Sequence, residues 1–268
     1  MEISLSSPIA EGRTAEIYAW QDKTILKLYR DWCPPDWVEG EATVARAIAN
    51  AGIPSPAVGE IIEVNRRRGL IYERITGISM LQDMNAHPWT ILKHARTLAD
   101  LQVKINQLSI PGLRSNKEGL TDTIRRAPHL GDMLRERALS QLAALTDGDR
   151  VCHGDFHPGN VLITAAGPIV IDWMTASSGN PWADVARTGM ILLIGVKGAG
   201  KQVRPITRLL IYLYQATYKK QYFSRIPDSD KQLRRWMPVM AAARLDEHIE
   251  PEREALIGMV RAGLNESI

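Results

Sequence analysis

The stretch His153-Gly154-Asp155-Phe156-His157-Pro158-Gly159-Asn160 carries a heavy polar load for a segment that runs directly into the apolar Val161 to Ile163. A second aspartate follows in Ile171-Asp172-Trp173. Between them Thr164-Ala165-Ala166-Gly167 reads as a turn joining Val161 to Ile163 with Pro168 to Trp173, a short hairpin that folds Asn160 and Asp172 toward each other. An amide oxygen and a carboxylate are hard donors suited to Mg²⁺, which keeps several waters and bridges phosphate oxygens. Asp155 would then face an incoming hydroxyl as base or orienting group. A competing reading uses His153, Asp155 and His157 as a metal trio, since alternate positions of extended chain share a face. It leaves Asn160 and Asp172 without a role.

The series H-G-D-x-x-x-x-N, hairpin, I-D-W resembles the catalytic segment of the aminoglycoside phosphotransferase and choline kinase family, relatives of the protein kinases. Through that resemblance Asp155 is implied as the catalytic residue and Asn160 and Asp172 as metal ligands, with ATP and Mg²⁺ as cofactors. The family's phosphate-holding strand lysine corresponds to Lys27 in Ile25-Leu26-Lys27-Leu28-Tyr29, and its helix glutamate to Glu41. Glu39 competes for that place, but the distance from Glu41 to Gly52-Ile53-Pro54 fits the family better. Leu70 to Gly77 looks like the last strand and hinge, so that backbone groups of Glu73 and Ile75 would meet adenine. Asp184, in Asn180-Pro181-Trp182-Ala183-Asp184-Val185-Ala186, is similar to the aspartate that braces the catalytic loop, and His153 is implied as a loop-ordering residue.

The resemblance covers residues from about 10 to 190 and has departures. Glu11-Gly12-Arg13-Thr14-Ala15-Glu16 contains no G-x-G-x-x-G, so Gly12 and its neighbouring amides would have to cover the phosphates. Trp173-Met174 replaces the Phe-Gly that follows the metal aspartate in protein kinases, and Gln102 stands where relatives commonly carry histidine.

Patterning supplies the elements that must position these groups. Ile3 to Leu5, Thr14 to Trp20 and Thr24 to Tyr29 alternate as strands, Asp36 to Ala51 has helical spacing ending at Gly52, and Gly59 to Asn65 and Leu70 to Ile75 read as two further strands joined by Arg66-Arg67-Arg68-Gly69. Beyond Gly77 the spacing turns helical over Trp89 to Leu108, Lys117 to Leu145, Ala183 to about Ile194, Gln202 to Phe223, Ser229 to His248 and Glu252 to Ala262. Gly195 to Gln202 satisfies G-x-x-x-x-G-K, but Gln202 replaces the magnesium-binding hydroxyl and Met190 to Ile194 continues a helix where a phosphate loop requires a strand.

The expected fold is α+β: a bilobal protein-kinase-like arrangement with an N-terminal antiparallel sheet plus helix over residues 1–75, and a larger, mainly helical lobe over 76–268 that holds the catalytic hairpin. Its expected activity is transfer of the γ-phosphoryl group of MgATP to a hydroxyl of a small molecule. A catalytically weak nucleotide-binding protein with a protein partner, or a protein kinase, are the alternatives.

With 33 Lys+Arg against 30 Asp+Glu in 268 residues, the net charge of +3 argues against a dedicated nucleic-acid binder. Neither a secretory leader nor the roughly 18 consecutive apolar residues of a membrane helix is apparent, so a cytoplasmic protein with Cys33 and Cys152 as free thiols is expected. The charge is unevenly spread. Residues 201–225 hold six basic and no acidic side chains, whereas 245–254 hold five acids and only Arg253. Tyr212, Tyr214, Tyr218 and Tyr222 interleave the basic block, a spacing that fits inward packing or an anionic ligand. The acidic block fits either a cationic acceptor or ordinary helix-start electrostatics.

Overall fold

The computed structural model describes residues 6–197, 204–226 and 229–265. The expected strand Ile3 to Leu5 lies outside them, as do residues 198–202 of the glycine-rich stretch. Two compact units make up the chain, one formed by residues 1–82 with 159–175 and the other by 83–158 with 176–268.

In the first unit β1 (Ala10–Glu11), β2 (Ala15–Ala19), β3 (Thr24–Tyr29), β4 (Val58–Val64) and β5 (Arg67–Glu73) form an antiparallel sheet in the order β1-β2-β3-β5-β4. The turn between β4 and β5 is Asn65-Arg66, both with positive φ (50° and 65°), the two-residue geometry whose twist matches that of the flanking strands. Arg67 and Arg68, expected in the turn, belong to β5 instead. Arg67 ties the sheet by donating to the Tyr29 carbonyl at 2.9 Å and to Glu16 at 2.7 Å. Helix α1 (Pro35–Asn50) opens on proline, whose missing N–H costs nothing there, and buries a stripe of Val38, Glu41, Ala42, Ala45 and Ile48.

The hairpin between Asn160 and Asp172 belongs to this unit. Strand β6 (Ile78–Ser79) pairs with β8 (Val161–Thr164), which pairs with β9 (Gly167–Val170). The Val170 amide also donates to the Pro54 carbonyl at 2.8 Å. These bonds group the hairpin with the N-terminal elements, in a unit that also includes the chain through residue 82.

The second unit is mostly helix: α2 (Met80–Ala86) begins at the junction, followed by α3 (Ile91–Asn106), α4 (Asn116–Arg126), α5 (Asp132–Ala144), α6 (Pro181–Lys197), α7 (Pro205–Phe223), α8 (Ser229–Arg244) and α9 (Arg253–Asn265). The single helix expected over Lys117 to Leu145 is two, because Pro128 cannot continue the backbone ladder and Gly131 takes a left-handed φ of 70°. A strand pair missing from the sequence reading, β7 (Arg150–Cys152) with β10 (Ser177–Gly179), anchors the chain entering the His153 loop. Helix α6 runs through Met190 to Ile194, so no strand precedes Gly195. Tyr214, Tyr218 and Tyr222, one turn apart on α7, are buried, whereas Tyr212 is exposed.

Gly77 controls how closely β6 meets the hairpin. A Cβ there would stand 2.6 Å from the Ile163 carbonyl oxygen, so backbone would have to move. Gly77→Ala is expected to lower the unfolding free energy by about 1–3 kcal/mol in urea titrations, the usual cost of overpacking; an unchanged midpoint would contradict the contact.

Candidate active site

Lys27 lies on β3, 8% exposed, with its Nζ donating to Glu41 Oε1 at 2.7 Å, Glu41 Oε2 at 3.0 Å and Asp172 Oδ1 at 2.8 Å. Strand geometry puts Lys27 and Tyr29 on one face, and the Ile25 to Tyr72 register brings Tyr72 beside them. Both tyrosine hydroxyls donate to Glu41, Tyr72 at 2.8 Å and Tyr29 by a shorter contact. Glu41 therefore accepts from three side chains within the buried stripe of α1, while Glu39 points outward and pairs with Arg68 at 2.5 Å. Burial by itself lowers the Lys27 pKa, but the Glu41 and Asp172 carboxylates more than reverse that and hold the ammonium charged. Burial and then the Glu41 charge raise both tyrosines, keeping their hydroxyls protonated as donors. Tyr29 and Tyr72 were missed in the sequence; strand parity with Lys27 was the available signal for Tyr29.

Asn160 closes a 3-10 turn, Pro158–Asn160, just before β8, and Asp172 follows β9 by two residues. Val161 opposite Val170, and the Ile171 amide donating to the Asn160 carbonyl at 3.0 Å, bring the two ends of the hairpin together. Asp172 adopts φ of 65°, a left-handed conformation that Asp tolerates better than most side chains. One amide and one carboxylate, both oxygen donors and with the carboxylate side chain 44% exposed, match the sparse protein ligation of Mg²⁺. Among the described residues no group of three or more His, Cys, Asp or Glu is placed to hold a metal ion, so His153, Asp155 and His157 do not form the rival trio.

Of the expected nucleotide contacts, the Gly12 amide donates to the Ala15 carbonyl at 2.8 Å in the turn between β1 and β2. The Glu73 amide is committed to the Ala57 carbonyl at 2.9 Å, which removes it as a donor to adenine, and Ile75 stands in the chain beyond β5.

The Asp155 loop is held within the second unit. Asp184, in the first turn of α6 and 2% exposed, accepts the Gly154 amide on Oδ1 at 2.8 Å. Its Oδ2 accepts Gln102 Nε2 at 3.0 Å and Asn106 Nδ2 at 3.1 Å, two residues one turn apart on α3. Gln102 also donates to Thr188 Oγ1 at 3.0 Å and accepts the Tyr218 hydroxyl, and the Tyr222 hydroxyl donates to Asn106 at 2.9 Å. The tyrosines of the basic segment thus brace the loop from behind. His153, fully buried, accepts the Asp155 amide on Nδ1 at 3.3 Å and packs against Phe156.

The Asp155 carboxylate meets His157 at 3.6 Å and Arg187 at 3.7 Å. Burial works to raise its pKa, but its contact with His157 and the Arg187 charge outweigh that and hold the carboxyl below its ordinary value. Arg187 escaped the sequence reading, although its place three residues after Asp184 puts both on one helix face.

Gln102→Leu strands the Tyr218 hydroxyl and takes a donor from Asp184 Oδ2 and from Thr188 Oγ1 behind the loop. A loss of about 1–3 kcal/mol in urea is expected from the unmade hydrogen bonds, and a neutral result would contradict the network. A second expectation concerns acid. Because the folded Asp155 pKa lies below the unfolded one, its stabilisation is present above about pH 4 and lost as pH falls through the folded value. Asp155→Asn should therefore flatten the acid limb of unfolding free energy against pH; parallel limbs would refute it.

The sequence model of the phosphotransferase enzyme family matches residues 6–202. No curated protein matches the chain in sequence. Among solved structures, the chain is similar to a thermostable mutant of aminoglycoside phosphotransferase APH(4)-Ia in ternary complex with AMP-PNP and hygromycin B, with a TM-score of 0.66 and 18% identity over 96% of this chain and 92% of that one. It is also similar to an aminoglycoside-3'-phosphotransferase of type VIII (TM-score 0.60, 21% identity, 92% of each chain). A third similar structure is amicoumacin kinase hAmiN in complex with AMP-PNP, Ca²⁺ and Ami (TM-score 0.63, 12% identity, 97% of this chain and 88% of that one). These likenesses establish the protein-kinase-like fold of the aminoglycoside phosphotransferases, and the family match, which spans most of the sequence, shows that the chain belongs to the phosphotransferase enzyme family.

Proposed function

We propose that the protein transfers the γ-phosphoryl group of MgATP to a hydroxyl of a small molecule. The observation that carries this reading is the buried Lys27 ammonium, held by Glu41 and directed at Asp172. A lysine kept charged and fixed in place is what phosphate oxygens require, and phosphoryl transfer depends mainly on positioning and charge neutralisation. The AMP-PNP bound in two of the similar structures supports the choice of nucleotide.

In this reading Lys27 meets the nucleotide phosphates, Glu41 with Tyr29 and Tyr72 keeps it aimed, and Asn160 and Asp172 hold magnesium. Bound there, the ion neutralises phosphate charge. Asp155 accepts a hydrogen bond from the acceptor hydroxyl and points the oxygen lone pair at phosphorus. The new oxygen–phosphorus bond forms as the bond to the β-phosphate oxygen breaks, and ADP leaves. With its pKa depressed, Asp155 is a weak base. Its main contribution is orientation, which suits a loose transition state in which the hydroxyl proton is lost late.

Purified protein with MgATP and a panel of hydroxyl acceptors should form ADP above the acceptor-free rate, and magnesium removal should abolish it. Asp155→Asn should fold and bind ATP while turnover falls by about 10²–10⁴. Lys27→Ala should lose nucleotide affinity. Near-normal turnover in Asp155→Asn would overturn the assignment, and nucleotide binding without magnesium-dependent ADP formation would favour a non-catalytic role.

A further inference from the structure

Beside Asp155 the second unit carries a chain of alternating charges. Arg187 Nη2 donates to Glu247 Oε1 at 2.6 Å and stands 3.7 Å from Asp155 Oδ1. Glu247 also accepts from Arg244 Nη1 at 3.1 Å, and Arg244 grips Glu252 through Nε and Nη2 at 2.6 and 3.0 Å. Arg244 and Glu252 are both buried, at 7% exposure each.

The capacities of these groups differ. Arg244 spends all three of its nitrogens on two carboxylates, Glu252 is clamped, and Glu247 is shared by two cations. None of the three offers an uncommitted charge. Arg187 differs: its Nε is buried without a hydrogen-bond partner, and its fork of five donors has one short bond, to Glu247. A buried orphan donor is costly, which calls for an acceptor group that completes it when the site is occupied. Glu247 and Glu252 of the acidic segment are therefore committed to arginines, and a guanidinium with spare donors stands 3.7 Å from the hydroxyl-orienting carboxylate.

We infer that Arg187 is a specificity-determining residue that reads an anionic group, carboxylate or phosphate, on the acceptor next to the hydroxyl that Asp155 orients. The acceptor class is then an acidic alcohol, a hydroxy acid or a phosphorylated polyol. A planar, permanently charged fork pairs with either anion in two-point geometry, which a lysine would not reproduce. The same cation repels ammonium groups at that place, so discrimination has an attractive and a repulsive component. This inference rests on the phosphoryl-transfer reading above.

The test is steady-state ADP formation with glycerate, glycerol 3-phosphate, glycerol, choline and kanamycin. Glycerate against glycerol 3-phosphate separates the two anions. Wild type should use at least one anionic acceptor above the acceptor-free rate. Arg187→Met should lower kcat/KM for that acceptor about tenfold or more beyond any loss it causes with glycerol, the loss of one charge-assisted hydrogen bond. Arg187→Lys should fall between. A structural role, or one exerted only through Asp155, would lower kcat/KM for both acceptors by the same factor and overturn the inference. So would turnover confined to choline, kanamycin or glycerol, or no response to either anion. Failure of magnesium-dependent nucleotide binding and ATP hydrolysis in wild type would instead sink the phosphoryl-transfer reading itself.

Discussion

A buried ammonium shared between two carboxylates organises the first unit. Desolvating Lys27 is tolerable only because Glu41 and Asp172 both reach it, and removing one partner of such a pair typically costs about 3–5 kcal/mol. That requirement fixes several elements at once. It sets the face that α1 turns toward the sheet, the register of β3 against β5 that delivers Tyr72, and the return of the hairpin that carries Asp172 back to β3. The tyrosine hydroxyls fill acceptor positions on Glu41 that Lys27 does not use, so its buried oxygens are satisfied by side chains.

The second unit solves a related problem with neutral groups. Asp184 is buried, and its neighbours are amides and a backbone N–H, with tyrosine hydroxyls supporting the amides from behind. Gln102 itself carries no titratable group. Its amide donates on one side and accepts on the other, so one side chain links α3, α6 and α7. The loop bearing Asp155 is thus fixed from beneath by a carboxylate whose donors are uncharged, while on another side it meets charged partners.

Much of this was legible in the sequence because the polar motif residues are close in the chain. His153 to Asn160 and Asp172 span one hairpin, and turn chemistry with alternation suffices to bring its ends together. Glu41 over Glu39 followed from the family's spacing, and its place in the buried stripe of α1 agrees. The parts that escaped depend on distant pairings. Whether β5 begins at Arg67 is decided by a left-handed Asn65-Arg66 turn that the basic run obscured. Tyr72 reaches Glu41 only through a register no local pattern specifies, and Arg187 meets Glu247 across sixty residues of intervening chain. The acidic segment stayed open between two readings because part of its pairing comes from afar, Arg187 to Glu247 and Arg126 to Asp246.

Asp172 occupies a left-handed backbone position, where asparagine is among the best tolerated side chains and most others are strained. The exchange that disturbs this position least, Asp to Asn, is also the one that deletes the negative charge facing Lys27. One residue thus carries two separate demands, a backbone turn that asparagine would keep and a buried charge balance that it would not. Under the proposed roles, a lineage descended from this protein could lose activity through a single codon change that preserves the local turn while it loosens the hold on Lys27.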